Sequence, residues 1–292
     1  MTATALSAEG VVTRRGRRGE TALRVLRRPT AALAAIVVFL IVAGAIAAPL
    51  IAPYPPTQFD YAHLFAAPSW SHPFGTDELG RDLITRVLYG GRTSLEMAAL
   101  ATVIAMVFGS IWGFAAAFKK GWVGEVLMRI ADLTLGMPVI LLGLVLVAAF
   151  GSSIFSLVVI LGILFSPATA RLARSALLSE LEADYYLAAT SVGAPPWRIV
   201  VEQLLPNTMP VLLARGSIVA ADAIFIEASL SFLGLGVQPP KASWGTLLHV
   251  GYADLYSSYW YPLFPGLVIV IAVLSLNTLG DNLQRALDPS RR

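Results

Sequence analysis

The uncharged stretch LTLGMPVILLGLVLVAAFGSSIFSLVVILGILFSPATA, residues 133–170, is the strongest structural signal in the chain. One helix needs about 20 mostly apolar residues to cross the hydrocarbon core of a bilayer, so these 38 residues are too many for a single span. The tripeptide Gly-Ser-Ser at 151–153 interrupts the run with residues typical of turns. We therefore predict two membrane-spanning helices, the first ending near Phe150 and the second beginning near Ile154.

Composition extends this interpretation to the whole chain. Hydrophobic residues make up 57% of the 292 residues and charged residues 13%, whereas soluble domains have about 45–50% apolar and about 25% charged residues. These values argue against a soluble enzyme, and they exclude a disordered chain, which needs low hydrophobicity and high charge. We predict an all-α, polytopic transmembrane helical bundle of six spans; the other four lie at 31–53, between Glu96 and Lys119, at about 209–236 and at about 262–280.

The residue types present exclude several kinds of chemistry. The chain has no cysteine and three histidines, which removes disulfides, thiolate metal sites and a histidine-rich metal centre. No Gly-x-x-x-x-Gly-Lys-[Ser/Thr] phosphate-binding loop occurs in the sequence. We therefore assign no catalytic residue, no metal site and no cofactor to this chain.

The placement of basic residues predicts the orientation. Six spans put both termini on one side, and 16 of the 21 Lys and Arg residues fall there, in the termini and in two loops. Cytoplasmic segments carry the excess of basic residues, so we predict a multi-pass inner-membrane protein with both termini in the cytoplasm. The predicted division is a basic segment at 1–30, a first span at 31–53, an extracytoplasmic loop at 54–93, a core of five helices at 94–284 and a cytoplasmic tail at 285–292.

The N-terminal arginines have two other interpretations, a twin-arginine export signal and a nucleic-acid-binding segment. The apolar run that follows them is longer than the hydrophobic region of a signal peptide, and five more spans come after it. We therefore interpret the arginines as a topology anchor and predict no nucleic-acid partner.

The longest link between spans, residues 171–205, is predicted to contain two helices. Apolar side chains recur at helical spacing over 177–188, and Gly193 then stops that helix. Two prolines begin a second short helix, which carries Trp197 and Arg198. Two interpretations are open: a docking element for another protein, or a hairpin that covers the end of the bundle.

This link resembles the coupling loop of ABC importer permeases, known as the EAA loop. The resemblance rests on Ala-Ala-Thr-Ser-Val-Gly at 188–193 and on Leu-Pro twelve residues past that glycine; a leucine occupies the position of the glutamate in the motif's name. In that family the loop sits in a groove on a cytoplasmic ATPase subunit. The resemblance implies that ATPase coupling is carried by Tyr186, Leu187, Ala188, Ala189, Gly193, Trp197 and Arg198.

Three further motifs are similar to the second permease subunit of oligopeptide and dipeptide importers. They are HPFGTDELGRD at 72–82, EASLSFLGLGVQPP at 227–240 with SWG at 243–245, and NTLGDNL at 277–283 with LDP at 287–289. The resemblance implies the fold of an ABC type I importer permease, and alternating access driven by ATPase subunits that bind the ATP and Mg. The other implied partners are a second homologous permease subunit, an extracytoplasmic peptide-binding protein and membrane lipid.

Two polar regions remain open to more than one interpretation. Residues 76–92 are predicted to form an amphipathic helix on the outer surface, which either shields span ends or contacts a binding protein. In the fifth span, Arg215, Asp222 and Glu227 are charges inside an apolar helix, where charges are costly and usually face water or the bundle interior. They are candidates for lining a pathway or a subunit interface, or else they form structural ion pairs with neighbouring helices.

The function implied by the resemblance is uptake of oligopeptides or dipeptides, with this chain as the non-enzymatic permease subunit of an ATP-driven importer. One alternative is a permease of the same family for nickel or another small solute. From a different class, an independent secondary transporter needs a mid-membrane site built from broken helices or repeats. No clear repeat relates the two halves of the sequence.

Overall fold

The computed structural model describes residues 28–119 and 121–287. In this part of the chain, five helices are long and apolar enough to cross a membrane, and a bent helix pair makes six crossings if it is counted as one span. The helical membrane bundle predicted from the charge-free stretches is confirmed. Most of the predicted basic segment at 1–30 and of the tail at 285–292 lies outside the described residues.

The helices are named in chain order. They are α1 Pro29–Ile51, α2 Leu83–Phe118, α3 Trp122–Leu135, α4 Val139–Phe150, α5 Ile154–Leu181, α6 Asp184–Ser191, α7 Pro196–Ile199, α8 Leu205–Leu230, α9 Trp244–Ala253 and α10 Trp260–Leu287. One turn of wider, π-type helix precedes α8 and another follows it. The division predicted at 151–153 is confirmed, because α4 ends at Phe150 and α5 begins at Ile154.

Close packing of α2 against α5 forms the centre of the bundle. An added Cβ at Gly113 would lie 2.2 Å from the carbonyl oxygen of Ala170, and one at Gly109 would lie 2.7 Å from that of Ser166. Such close approach matters in a membrane, where lipid is as apolar as the side chains and van der Waals packing holds helices together. The core that α2 and α5 share with α8 contains Met97, Leu161 and Ile224.

The helix predicted within residues 76–92 begins at Leu83, and it is the first part of a longer helix. Helix α2 begins at Leu83, where the Asp82 carboxylate accepts a hydrogen bond from the backbone N–H of Thr85 at 2.9 Å, and it continues unbroken into the second span. Leu83 and Val87 are buried in the main core. The apolar stripe in this segment therefore packs against the core of the bundle.

The third predicted span, from after Asp132 to near Phe150, is interrupted at 136–138, so that its first residues end α3 and the remainder forms α4. The axes of the two helices differ by 94° across a break of three residues. Gly136 follows the end of α3, and Pro138 disfavours a helical backbone at the residue before it. Both residues are visible in the sequence, yet the break was missed because the span was placed only by the absence of charge after Asp132.

Buried ion pairs fix the segment between α1 and α2. The Arg81 guanidinium donates to the Asp77 carboxylate at 2.5 Å and to Glu78 at 2.7 Å. The Tyr261 hydroxyl of α10 donates to the second oxygen of Glu78 at 2.7 Å. These bonds tie the segment to the first turn of α10.

Candidate functional site

The candidate site is the link from α5 to α8, which contains α6 and α7. The single helix predicted over 177–188 is wrong, because α5 ends at Leu181 and Ala183 has an extended backbone with φ −74° and ψ 144°. A new helix, α6, starts at Asp184. The link therefore starts a new helix after a break at 182–183, and periodicity alone did not reveal this break.

A tight turn at Gly193 joins α6 to α7. Gly193 has φ +72°, a backbone conformation that glycine adopts without steric cost. The N–H of Ala194 donates to the carbonyl of Ala189 at 3.1 Å, and the N–H of Gly193 donates to that of Thr190 at 3.1 Å. This pair of bonds is the Schellman motif of helix ends, and it sets the direction in which α7 leaves.

The inner side of the link has a hydrophobic core of its own. Ala189 is 9% exposed, and it packs with Ile199 and Leu204 against Leu177 of α5 and Ala117 of α2. Tyr186 is half-buried at the edge of this cluster. The side chain of Ala189 therefore faces the bundle and holds the link in place, so a part for it in ATPase coupling is indirect.

The opposite side of the link leaves apolar groups exposed. Leu187 is 55% exposed, Val192 82% and Trp197 67%, and Ala188 lies among them, also exposed. We refer to Leu187, Ala188, Val192 and Trp197 as the loop surface. Clusters of exposed apolar side chains on a protein surface mark interaction sites, and the motif alone did not identify Val192 as a member.

Polar groups surround the loop surface. Arg198 is exposed, and its Nε donates to the Glu202 carboxylate at 2.9 Å. The hydroxyls of Thr190 and Ser191 donate to carbonyls one turn earlier in α6, at 3.0 Å and 2.8 Å. An apolar centre with a polar border is the usual arrangement of a protein–protein contact.

Glu180 joins the link to the two long helices that flank it. This residue belongs to the last turn of α5, and its carboxylate accepts a hydrogen bond from the Tyr185 hydroxyl of α6. The same carboxylate oxygen accepts from the Asn207 side-chain amide of α8 at 3.2 Å. These bonds connect α6 to both α5 and α8, contacts that sequence analysis did not predict.

The three predicted charges in α8 are in different surroundings. Arg215 and Asp222 belong to a stripe of residues left incompletely buried along one side of the helix, with Val211, Ile218, Phe225 and Ser229. The structure forms no ion pair between Arg215 and Asp222. Since this stripe is open in the described chain, these two residues remain candidates for a pathway or a subunit contact.

Glu227, by contrast, is 2% exposed and lies inside the subunit. Its carboxylate accepts hydrogen bonds from Ser231 at 2.7 Å and from Ser94 of α2 at 3.3 Å. The Ser94 hydroxyl in turn accepts from the backbone N–H of Trp244 at 3.1 Å. We name these four residues the Glu227 junction. The prediction that Glu227 lines a pathway or an interface is wrong for this structure.

Two family models match the chain. Residues 105–292 match the family described as binding-protein-dependent transport system inner membrane component. Residues 18–68 match the N-terminal transmembrane domain of oligopeptide transport permease C. The first match includes α5, the link, α8 and the Glu227 and Trp244 positions.

Relatives of similar length match most of the chain. A putative peptide transport system permease protein of Brucella suis is 38% identical over 269 residues, covering 92% of this chain and 90% of the relative. The di/tripeptide transport system permease protein DppC of Pseudomonas aeruginosa is 38% identical over 256 residues, covering 86% and 84%. A chain of the MetNI methionine ABC transporter, solved in inward-facing conformations, aligns with a TM-score of 0.58 at 20% identity, over 70% of this chain and 97% of that one. This last likeness concerns the fold.

Proposed function

The chain belongs to the family of binding-protein-dependent transport system inner membrane components, and on that premise we propose that it conducts oligopeptides or dipeptides into the cell. The observation that carries the proposal is the 38% identity to two peptide-transport permeases over most of the chain. As a permease of an ABC importer, the chain is not an enzyme. ATP is bound and hydrolysed by separate ATPase subunits.

The loop surface is the proposed contact with an ATPase subunit. Leu187, Ala188, Val192 and Trp197 supply apolar area for a groove on the partner, and Arg198 lies at the rim. Gly193 fixes the angle between α6 and α7, so that the two parts of the surface face the same way. Tyr186 and Ala189 lie on the inner side of the link and pack it against the bundle.

The proposed mechanism is alternating access. Closure of the ATPase subunits on ATP moves α6 and α7, and the hydrogen bonds of Glu180 pass this movement to α5 and α8. Helix α8 then shifts against a second, homologous permease, with Arg215 and Asp222 on the face that meets the partner or the pathway. Such switching requires two states of the bundle that bind different ligands with different affinity.

The proposed topology follows the distribution of basic residues. The link and both termini are in the cytoplasm, and a peptide-binding protein delivers substrate on the other side. Within the chain, α1 belongs to an N-terminal segment, and residues 94–284 form the permease core. Ser257 and Ser179 are both exposed, so cysteine substitutions test the topology cleanly in a chain without native cysteine. An impermeant thiol reagent added to intact cells should label Ser257→Cys and leave Ser179→Cys unlabelled; the reverse pattern contradicts the proposed orientation.

Reconstituted transport tests the function directly. The full chain is assembled in liposomes with its second permease and ATPase subunits, and uptake of labelled dipeptide, longer peptide and Ni²⁺ is measured with the loaded binding protein outside. We expect ATP-dependent uptake of peptide. Uptake of Ni²⁺ alone contradicts the proposed substrate, and peptide uptake by this chain without ATPase subunits contradicts the proposed mechanism.

A further inference from the structure

A cationic cavity opens between α3 and α5, apart from the loop surface. It has a volume of about 330 Å³, within the range of roughly 300–1,000 Å³ that is typical of small-molecule pockets. Two arginines and one carboxylate dominate its charge. The cavity is lined by Met128 and Asp132 of α3 and by Arg171, Arg174, Ser175 and Leu178 of α5.

The two arginines of the cavity are in different states. Arg171 forms an ion pair with Asp132, which neutralises one positive charge. The Nε of Arg174 is buried and forms no hydrogen bond with any described group. Arg174 forms no ion pair with any carboxylate of the described residues, so its positive charge has no counter-charge there, and an anion in the cavity beside its guanidinium would supply one.

The positions of Arg171 and Arg174 along α5 indicate how deep in the membrane the anion binds. Helix α5 begins at Ile154, and a rise of 1.5 Å per residue puts Arg171 and Arg174 about 26 and 30 Å from that end. The hydrocarbon core of a bilayer is about 30 Å thick. Both guanidinium groups therefore lie where the phosphates of one leaflet are found, at the same end of the bundle as the link.

Helix α3 provides an apolar surface beside the cavity. Trp122, Val126, Ile130 and Leu133 are 75%, 45%, 49% and 69% exposed, and they recur on one face of the helix. The buried residues Gly124, Met128 and Ala131 lie on the opposite side, with Asp132 between the two faces and Arg129 at the edge of the apolar one. An amphipathic helix with an exposed apolar face and a basic border is typical of contact with lipid at the membrane interface.

We propose that this cavity binds the phosphate of an anionic phospholipid, with Arg174 as the main ligand and Arg171 as the second, while the acyl chains cover the apolar face of α3. Basic pockets between helices at the cytoplasmic side of membrane proteins suit such head groups. The positive charge at the cavity and the apolar face beside it match the two parts of a lipid and not a free anion. The site is separate from the proposed peptide pathway and does not depend on the substrate.

The test measures lipid binding to the full chain, purified in detergent, by native mass spectrometry. Phosphatidylglycerol and phosphatidylcholine are titrated separately against the wild type, Arg174→Gln and Arg129→Gln. Arg129 is exposed on α3 and does not line the cavity, so its loss removes the same charge from the same region. We expect Arg174→Gln to weaken the first phosphatidylglycerol site by about tenfold, the equivalent of one charged hydrogen bond, and Arg129→Gln to leave it nearly unchanged.

A gain of affinity provides the second arm. Asp132→Asn releases Arg171 from its ion pair, and phosphatidylglycerol affinity should rise by about two- to fivefold, the worth of an exposed ion pair. General damage to the fold does not raise affinity, so this variant decides the question even if Arg174→Gln is not recovered as a monodisperse protein. An unchanged or lower affinity in Asp132→Asn contradicts the proposal.

Three other results also overturn it. Equal losses in Arg174→Gln and Arg129→Gln indicate diffuse attraction of lipid to positive charge. Equal binding of phosphatidylcholine and phosphatidylglycerol removes the role of the anion. Displacement of the bound lipid by excess inorganic phosphate identifies a site for a free anion instead of a lipid.

Discussion

The residues near the two ends of α8 differ in how far the rest of the chain covers them. At the beginning of the helix, the link leaves Val192 82% exposed and Trp197 67% exposed. At the end, Trp244 is 2% exposed, and its indole N–H donates to the carbonyl of Val87 at 3.0 Å. Even the carboxylate of Glu227 finds its hydrogen-bond partners inside the same chain.

This contrast distinguishes motif residues that hold the fold together from motif residues that stay available for contact with a second protein. The segments EASLSFLGLG and SWG supply Glu227, Ser231 and Trp244 to the Glu227 junction. Small residues allow the close packing there: an added Cβ at Gly91 would lie 2.7 Å from the Trp244 ring. The residues of the loop surface have no such partners. A motif at the junction thus maintains the fold, whereas the motif in the link presents a surface that a second protein can cover.

Substitution of the two tryptophans produces the largest expected difference between the two ends. Trp244→Ala should lower the free energy of unfolding by about 3–5 kcal/mol, because it empties a packed core site and leaves the Val87 carbonyl without its donor. Trp197→Ala should change it by less than about 0.5 kcal/mol, as for most surface sites. Thermal unfolding of the purified chain in detergent gives both values. Equal losses of stability would mean that the link is packed as tightly as the junction.

The neighbouring alanines of α6 sharpen the contrast within a single helix. Ala189→Glu should destabilise the link by about 2 kcal/mol or more, because it places a carboxylate in an apolar cluster. Ala188→Glu should leave the unfolding temperature unchanged and abolish the ATPase activity that loaded binding protein stimulates. The readouts are thermal unfolding and ATP hydrolysis in the reconstituted transporter. If Ala188→Glu retains full stimulated hydrolysis, its side of α6 does not face the ATPase subunit.

The turn at Gly193 has a smaller expected effect on stability than the buried Trp244 or Ala189. An added side chain meets no atom within 4 Å there, so only the positive φ is at issue. Gly193→Val should cost about 1–2 kcal/mol locally and redirect α7, which uncouples ATP hydrolysis from uptake. Gly193→Asn is the matched control, since asparagine tolerates this backbone conformation. Hydrolysis and uptake are measured together, and equal coupling in both variants shows that the turn does not set the direction of α7.

The sequence located most of the spans because a bilayer imposes a simple rule on them, but it did not show the break between α3 and α4. An apolar run of fixed length, bounded by charges or turn residues, predicts a helix, and α5 begins at the predicted residue, Ile154. The glycine stop at 193 was predictable for a similar reason, because it depends on local backbone sterics. Both signals are contained in a few neighbouring residues.

The errors occurred where distant residues determine the outcome. Periodicity over 177–188 is continuous, but the contacts of Ala189 with Leu204 and Ala117 require the chain to fold back, and the helix breaks. The burial of Glu227 likewise depends on Ser94, which is 133 residues away. A single sequence shows which face of a helix is apolar but not which helix covers it.

Cross-linking from the loop surface tests most directly whether it is the contact with the ATPase subunit. The chain has no native cysteine among its 292 residues, so Val192→Cys and Ile199→Cys each carry one defined attachment point, on a residue that is 82% exposed and one that is 4% exposed. Each variant is treated, in the assembled transporter, with a short photoreactive maleimide and irradiated. We predict an adduct with the ATPase subunit from Val192→Cys and none from Ile199→Cys. Absence of that adduct from Val192→Cys, with an adduct formed from Ser257→Cys at the other end of the molecule, would contradict the account.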